Sequence, residues 1–269
     1  MPGGYLVILR HGESTFNAAQ VFTGLLDADV TAAGLAQVVE AARLMVQAGL
    51  TPERIVTSPM LRALRTTERL IAELGSLGAL PEAPPSSGSP LFPDDGASPL
   101  PIHVSWRLNE RDYGILTGVP KAEARERYGE DAFFTWRRTL HGRPPAATPE
   151  QAAGWTAPPP VAERGTLVPG QGESLADVID RVTPFWEWLA PQVESGACIG
   201  LVAHGNTLRA LAAVMDGLGA SEVEELNIPA GHPLVYRVHG GLASPRGGFY
   251  LDDDAAQIAA DKVAAEGGT

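Results

Sequence analysis

Four consecutive apolar residues, Leu6-Val7-Ile8-Leu9, stop abruptly at Arg10-His11-Gly12. A short apolar run with no polar alternation predicts a buried strand. In α/β sheets such strands carry reactive side chains to their carboxyl ends. The event recurs late in the chain, where Cys198-Ile199-Gly200-Leu201-Val202-Ala203 runs into His204-Gly205-Asn206. Two strands ending in His-Gly predict two imidazoles meeting over one site.

The rest of the chain alternates strand and helix signals. Thr31 to Ala48 predicts a helix capped by Thr31, with Leu35, Val38, Val39, Ala42 and Met45 at helical spacing and Gly49 just past its end. Arg54 to Ser58 predicts a second strand, and Pro59 opens a helix running to about Leu74. Residues 75–101 are rich in Gly, Pro and Ser and predict an exposed insertion, after which Ile102-His103-Val104 resumes a strand. Residues 120–140 predict two helical pieces broken at Gly129, and residues 141–170 are again rich in Pro and Gly. A long amphipathic helix is expected from Glu173 to Glu194, then the strand 198–203, a helix from Asn206 to Met215, and a last strand from Pro233 to Val238. From Asp252 the chain turns acidic and then Ala-rich, which predicts a fraying end or a surface helix. This alternation implies a parallel or mixed sheet with helices on both faces.

The chain has 269 residues, 44% of them hydrophobic and 19% charged, which predicts a packed core in one large domain or two small ones. No apolar run is long enough to span a bilayer, and the N-terminal apolar run is too short for a secretory leader. One cysteine, Cys198, rules out an intramolecular disulfide, fits a reducing cytoplasm and, lying in an apolar run, predicts a buried core thiol. A net charge of −12 argues against nucleic acid and anionic membrane as partners. An anionic substrate then needs a local cationic pocket, which screening over about 8–10 Å allows. Nearly all of the 20 basic residues are Arg; only Lys121 and Lys262 are lysines.

His11 follows a cation at a strand end, and a neutral imidazole is a competent phosphoryl acceptor near pH 7. Gly12 would let backbone N–H groups approach a phosphate. His204 would hold charge on the transferring group, beside a helix N-terminus formed by Gly205 and Asn206. Taken alone, His11 also reads as a structural histidine beside a turn, His204 as a core histidine, Arg62 as a solvated helix-face charge, Arg137-Arg138 as a surface dibasic pair, and Glu110 as a salt-bridge partner of Arg111. His103, His141, His232 and His239 read as surface or loop residues. Arg43, Arg65, Arg69, Arg125 and Arg127 read as solvating helix faces. There is no His/Asp/Glu cluster at metal-ligand spacing, so no metal is expected.

An ordered set of motifs changes these odds. Arg10-His11-Gly12-Glu13-Ser14 with Asn17, Phe22-Thr23-Gly24 and Asp27 resembles the opening of the histidine phosphatase superfamily, and Thr57-Ser58 with Arg62-Ala63 and Thr66 resembles its second signature. Leu108-Asn109-Glu110-Arg111, Tyr113-Gly114, Lys121, Trp136-Arg137-Arg138, Glu173-Ser174-Leu175, Ala203 to Ala210 and Glu225 to Pro229 resemble its cofactor-dependent phosphoglycerate mutase branch. The resemblance spans about residues 5–240 apart from the insertion.

The resemblance implies a single domain over 1–269: a three-layer α/β/α sandwich about a mostly parallel sheet, to which composition adds the insertion near 75–101 and a tail after about residue 245 that either frays or forms a surface helix. It implies interconversion of 3-phosphoglycerate and 2-phosphoglycerate in glycolysis and gluconeogenesis, through phospho-His11 primed by 2,3-bisphosphoglycerate. The implied catalytic residues are His11, Glu110, His204, Arg10 and Arg62, with Glu110 as the acid–base. The implied substrate contacts are Arg10, Ser14, Asn17, Thr23, Gly24, Arg62, Glu110, Arg111, Tyr113, Lys121, Arg137, Arg138, Gly205 and Asn206. Members commonly form homo-dimers or homo-tetramers. Phe16, Leu25 and Asp112 depart from the usual Trp, Trp and His; Asp112 would add negative charge beside Glu110 and tune its protonation. The competing functions are a broad phosphomonoesterase of the same superfamily, a bisphosphoglycerate synthase balance, and a catalytically silent scaffold binding through the insertion.

Overall fold

The structure, a computed structural model, describes residues 3–80, 98–153, 155 and 169–265. Most of the predicted 75–101 insertion, and part of the 141–170 segment, lie outside the described residues. The elements run β1 (Gly4–Arg10), α1 (Thr15–Ala18), α2 (Ala32–Gln47), β2 (Arg54–Thr57), α3 (Leu61–Ser76), β3 (Ile102–Val104), α4 (Lys121–Tyr128), α5 (Glu130–Arg138) and α6 (Pro149–Ala152). They continue with α7 (Leu175–Glu194), β4 (Cys198–Ala203), α8 (Gly205–Asp216), α9 (Ala220–Glu225), β5 (Leu234–His239), β6 (Leu242–Tyr250) and α10 (Asp253–Ala265).

The strands form one six-stranded sheet in the order β3-β2-β4-β1-β5-β6. β1, β2, β3 and β4 are mutually parallel, and β5 runs antiparallel to both β1 and β6. Side chains alternate across β1 as a strand requires. Leu6 and Ile8 enter a core shared with Phe185, Leu189 and Val193 of α7 and Leu208 and Leu211 of α8. Val7 and Leu9 enter the opposite core with Val38 and Met45 of α2 and Leu70 and Leu74 of α3. These two cores make the sandwich: a mixed, mostly parallel sheet with helices on both faces. Each such side chain contributes about 1.5–3 kcal/mol by leaving water. No described helix is long and apolar enough to cross a membrane.

Several boundaries differ from expectation for local reasons. α3 starts at Leu61 rather than Pro59, because Asp27 reaches across the chain and accepts from the Leu61 amide at 2.8 Å. α7 starts at Leu175; Ser174 caps it in a reciprocal box with Asp177, which leaves Glu173 outside the helix. Val238 does not end the last strand. β6 follows, a segment whose Pro245, Gly247 and Gly248 conceal its strand character, and α10 after it is the helix, one of the two outcomes that the acidic, Ala-rich end predicts. Cys198 is half-buried against the α2–α3 core, and burial pushes its thiol up to about 12.

Candidate active site

Register puts the two histidines together. Arg10 and Ala203 are partners on β1 and β4, so His11 and His204 leave adjacent strand ends. Their ring centroids lie 5.0 Å apart. Both are at most 2% exposed. His11 Nδ1 lies 2.8 Å from the Gly12 carbonyl, a partner that only accepts, so Nδ1 carries the proton and Nε2 keeps its lone pair. Arg62 Nε donates to that Nε2 at 3.3 Å. His204 Nε2 lies 2.7 Å from Ser58 Oγ, and among the described residues its buried Nδ1 has no hydrogen-bond partner. Burial first, and then the cations Arg62 and Arg10, push the His11 pKa well below the usual imidazole value. Burial and Arg62 do the same to His204. Both rings are therefore neutral at pH 7.

A pocket of about 80 Å³ opens over His11. Its walls include Arg10, Asn17, Thr23, Gly24, Arg62, Glu110, Tyr113, Lys121, Arg137 and Asn206. Arg10 is anchored by the Ile228 carbonyl at 2.9 Å, and Arg62 by the carbonyls of Leu26 and Gly24 at 2.9 and 3.1 Å. Burial lowers Arg62 to about 10, so it stays a cation at neutral pH. Arg137 from α5 lies over the rings of Phe22 and Phe133 at 5.7 and 5.4 Å. Lys121, at the start of α4, reaches Gln20 Oε1 at 3.2 Å. Four cations thus line one small pocket in a chain of net charge −12. A second hollow of about 120 Å³ shares Arg10, Asn17 and Gln20 with it, and α10 brings Lys262 to its wall. Lys262 thus lines the hollow beside the pocket, without any motif to announce it.

Glu110 is buried and its carboxylate accepts from the Arg111 amide at 2.8 Å. The loop that carries it is held by α7. Arg181 pairs with Glu173 at 2.8 Å and donates to the carbonyls of Asn109 and Glu110 at 2.7 and 3.3 Å. Asp112 does not face Glu110 as an added charge would. Its carboxylate accepts from the amides of Gly114 and Gly170 at 2.8 and 2.7 Å, stapling two loops together. Burial raises its pKa.

Four of the expected substrate contacts are not among the pocket walls. Ser14 is the N-cap of α1, bound to Asn17. Arg111 is fully buried and spends its guanidinium on the carbonyls of Glu173, Trp136, Arg137 and Gly142. Arg138 turns to Asn227 and the Glu224 carbonyl. Gly205 is buried in the first turn of α8. The reason for Gly12 also changes. Its amide donates to Thr66 Oγ1 at 3.1 Å, and a Cβ there would sit 2.4 Å from the Gly34 carbonyl oxygen. Close packing against α2, rather than phosphate approach, requires this glycine. Sequence reasoning missed Gln20, Arg181 and Lys262, and gave Phe22 and Ser58 no role at the site. Ser58 stood in a quoted motif without a role, and Arg181 has no local signal beyond a basic residue on an amphipathic helix.

The histidines expected at the surface keep away from the pocket. His103 stacks on Trp188 with centroids 4.4 Å apart. The helix-face arginines pair locally, as Arg43 does with Glu40 and Arg69 with Glu73. Among the described residues no three His, Cys, Asp or Glu side chains converge as a metal site would need.

Residues 6–82 and 145–243 match the family model described as "Histidine phosphatase superfamily (branch 1)". A 2,3-bisphosphoglycerate-dependent phosphoglycerate mutase of Clavibacter sepedonicus is 38% identical over 264 residues, covering 97% of this chain and 96% of the relative. The protein of that name from Corynebacterium glutamicum is 37% identical over 270 residues, 99% of each chain. Among solved structures, a mycobacterial glucosyl-3-phosphoglycerate phosphatase complexed with VO3 superposes with a TM-score of 0.61 at 24% identity, covering 87% of this chain and 92% of that one, and so shares the fold.

Proposed function

The chain belongs to the 2,3-bisphosphoglycerate-dependent phosphoglycerate mutases of the histidine phosphatase superfamily, and we propose that it interconverts 3-phosphoglycerate and 2-phosphoglycerate through phospho-His11. It is an isomerase by family. The proposed setting is glycolysis and gluconeogenesis in the cytoplasm.

One observation carries the reading. His11 is held as the Nδ1–H tautomer with Nε2 turned to Arg62, in a pocket that four cations line and that a buried carboxyl, Glu110, completes. Phosphoryl transfer needs little more from a protein than such positioning and positive charge. The donor set suits a bisphosphate: Arg10, Arg62, Arg137 and Lys121 would hold two phosphates and a carboxylate, and Asn206 and Thr23 would orient the hydroxyls. When bound, 2,3-bisphosphoglycerate supplies the first phosphoryl group.

His11 Nε2 forms an N–P bond as the ester P–O bond breaks. Glu110 gives the departing alkoxide its proton. On return, Glu110 takes the proton from the attacking hydroxyl, the N–P bond breaks, and the new ester sits on the other carbon of the glycerate. The proton and the phosphoryl group are both restored, so the cycle balances. His204 would meet a phosphoryl oxygen through the Nδ1 that now lacks a partner. Keeping both imidazoles neutral keeps His11 nucleophilic.

Labelling tests this. Incubation with 2,3-bisphosphoglycerate phosphorylated with ³²P should give acid-labile, base-stable label on wild type and none on His11→Ala. Rapid release of inorganic phosphate with no stimulation of turnover by the bisphosphate would replace the mutase reading with a phosphomonoesterase. Absence of label on active wild-type enzyme would remove phospho-His11 itself.

A further inference from the structure

The only buried ion pair among the described residues stands outside the pocket. Arg181 and Glu173 have side chains 5% and 7% exposed, whereas every other pair has a member at least 40% exposed. Burying two charges is costly unless each is fully used, and here each is. The Arg181 fork donates to the carbonyls of Arg107, Asn109 and Glu110 as well as to the Glu173 carboxylate. Glu173 accepts from the Asp112 amide at 2.9 Å, and its own amide donates to the Asp112 carbonyl at 2.8 Å. The backbone is therefore gripped on both sides of Glu110, and the grip comes from a helix whose core face is packed against the sheet.

We propose that Arg181, oriented by Glu173, is a positioning residue that sets Glu110 for proton transfer; this rests on the acid–base reading of Glu110 above. Lysine keeps the charge at 181 but has no planar fork, so it cannot hold a carboxylate and three carbonyls together. A slack loop lets the Glu110 carboxyl drift. A displacement of about 1 Å can cost on the order of a hundredfold in a positioned reaction.

The experiment compares wild type, Arg181→Lys, Glu110→Gln and the double variant by steady-state mutase kinetics and by vanadate binding. Vanadate binding needs the cations and His11 but no proton transfer. Arg181→Lys should lower kcat about tenfold to a hundredfold while KM and vanadate affinity stay within about twofold. The double variant should be no slower than Glu110→Gln alone, because the guanidinium acts through that carboxyl. Multiplying losses, or vanadate affinity falling in step with kcat, overturns the assignment. If Arg181→Lys fails to fold, Glu173→Gln makes the same comparison, since it weakens the orienting partner without emptying its space. Should Glu110→Gln keep full kcat, the acid–base reading fails and Arg181 loses its role with it. A slow Glu110→Gln beside a fully active Arg181→Lys defeats the positioning proposal alone.

Discussion

The His11 and His204 rings lie 5.0 Å apart although 193 positions separate them, because Arg10 and Ala203 are cross-strand partners at parallel strand ends. The neighbouring backbone extends that ladder, with the His11 amide donating to the Ala203 carbonyl at 3.0 Å. A one-residue slip of β1 against β4 would turn the side chains of each core toward the other, on a strand buried on both sides, so the cores that stabilise the sheet also fix the spacing of the imidazoles.

Two neutral buried histidines make stability depend on pH. Their folded pKa values lie below the unfolded value near 6.5, so the unfolded chain binds more protons as pH falls. Their contribution is therefore fully present above that value and lost progressively as pH drops through it toward the folded values. Each histidine should contribute a slope of up to about 1.4 kcal/mol per pH unit in that window. Urea midpoints of the ligand-free protein at pH 7.5 and 5.5 should separate more for wild type than for His204→Asn. Equal separations would mean that His204 is not held neutral.

Arg62 touches His11 Nε2 and adds to the field that keeps the ring uncharged. Arg62→Met should therefore raise the His11 pKa, since a departing cation favours imidazolium. It should also lower kcat/KM by about 10²–10³, the usual effect of losing one aimed donor to a developing oxyanion. Imidazole titration by NMR reads the first effect and initial rates the second. A His11 titration unchanged in Arg62→Met would show that burial and Arg10 set it without Arg62.

Much of this arrangement is legible in the chain because the strongest signals are backbone ones. Unbroken apolar runs ending in His-Gly mark β1 and β4, Gly129 marks the break between α4 and α5, and Thr31 marks the cap of α2. Guanidinium directions are less legible. Arg137 and Arg138 are adjacent on a helix, about 100° apart around its axis, so one can face the pocket while the other turns away. Arg111 goes where unfilled carbonyls from distant loops converge, a set that only the fold assembles. β6 escapes notice because Pro245 and two glycines break its pattern, and Lys262, on the helix after it, reaches the hollow beside the pocket only through it.

The pocket's cations bear on metal dependence. Arg10, Arg62, Arg137 and Lys121 can neutralise phosphate oxygens without a divalent ion. Saturating chelator should leave mutase turnover intact, whereas vanadate, which mimics five-coordinate phosphorus, should inhibit competitively with phosphoglycerate. Turnover lost in chelator and restored by a divalent cation would contradict this account.

The Glu173–Arg181 pair also predicts an asymmetry in stability. Arg181→Met leaves a buried carboxylate beside carbonyls that have lost their donor, and should cost about 3–5 kcal/mol. Glu173→Leu strands a buried guanidinium and should cost a similar amount. Removing both charges together relieves the unpaired partner, so the double variant should be destabilised by less than the sum of the two, with a shortfall of about 1–3 kcal/mol. Chemical denaturation of the four proteins at pH 7.5 measures it. Strict additivity would mean that water reaches the pair and screens it, which is incompatible with side chains 5% and 7% exposed.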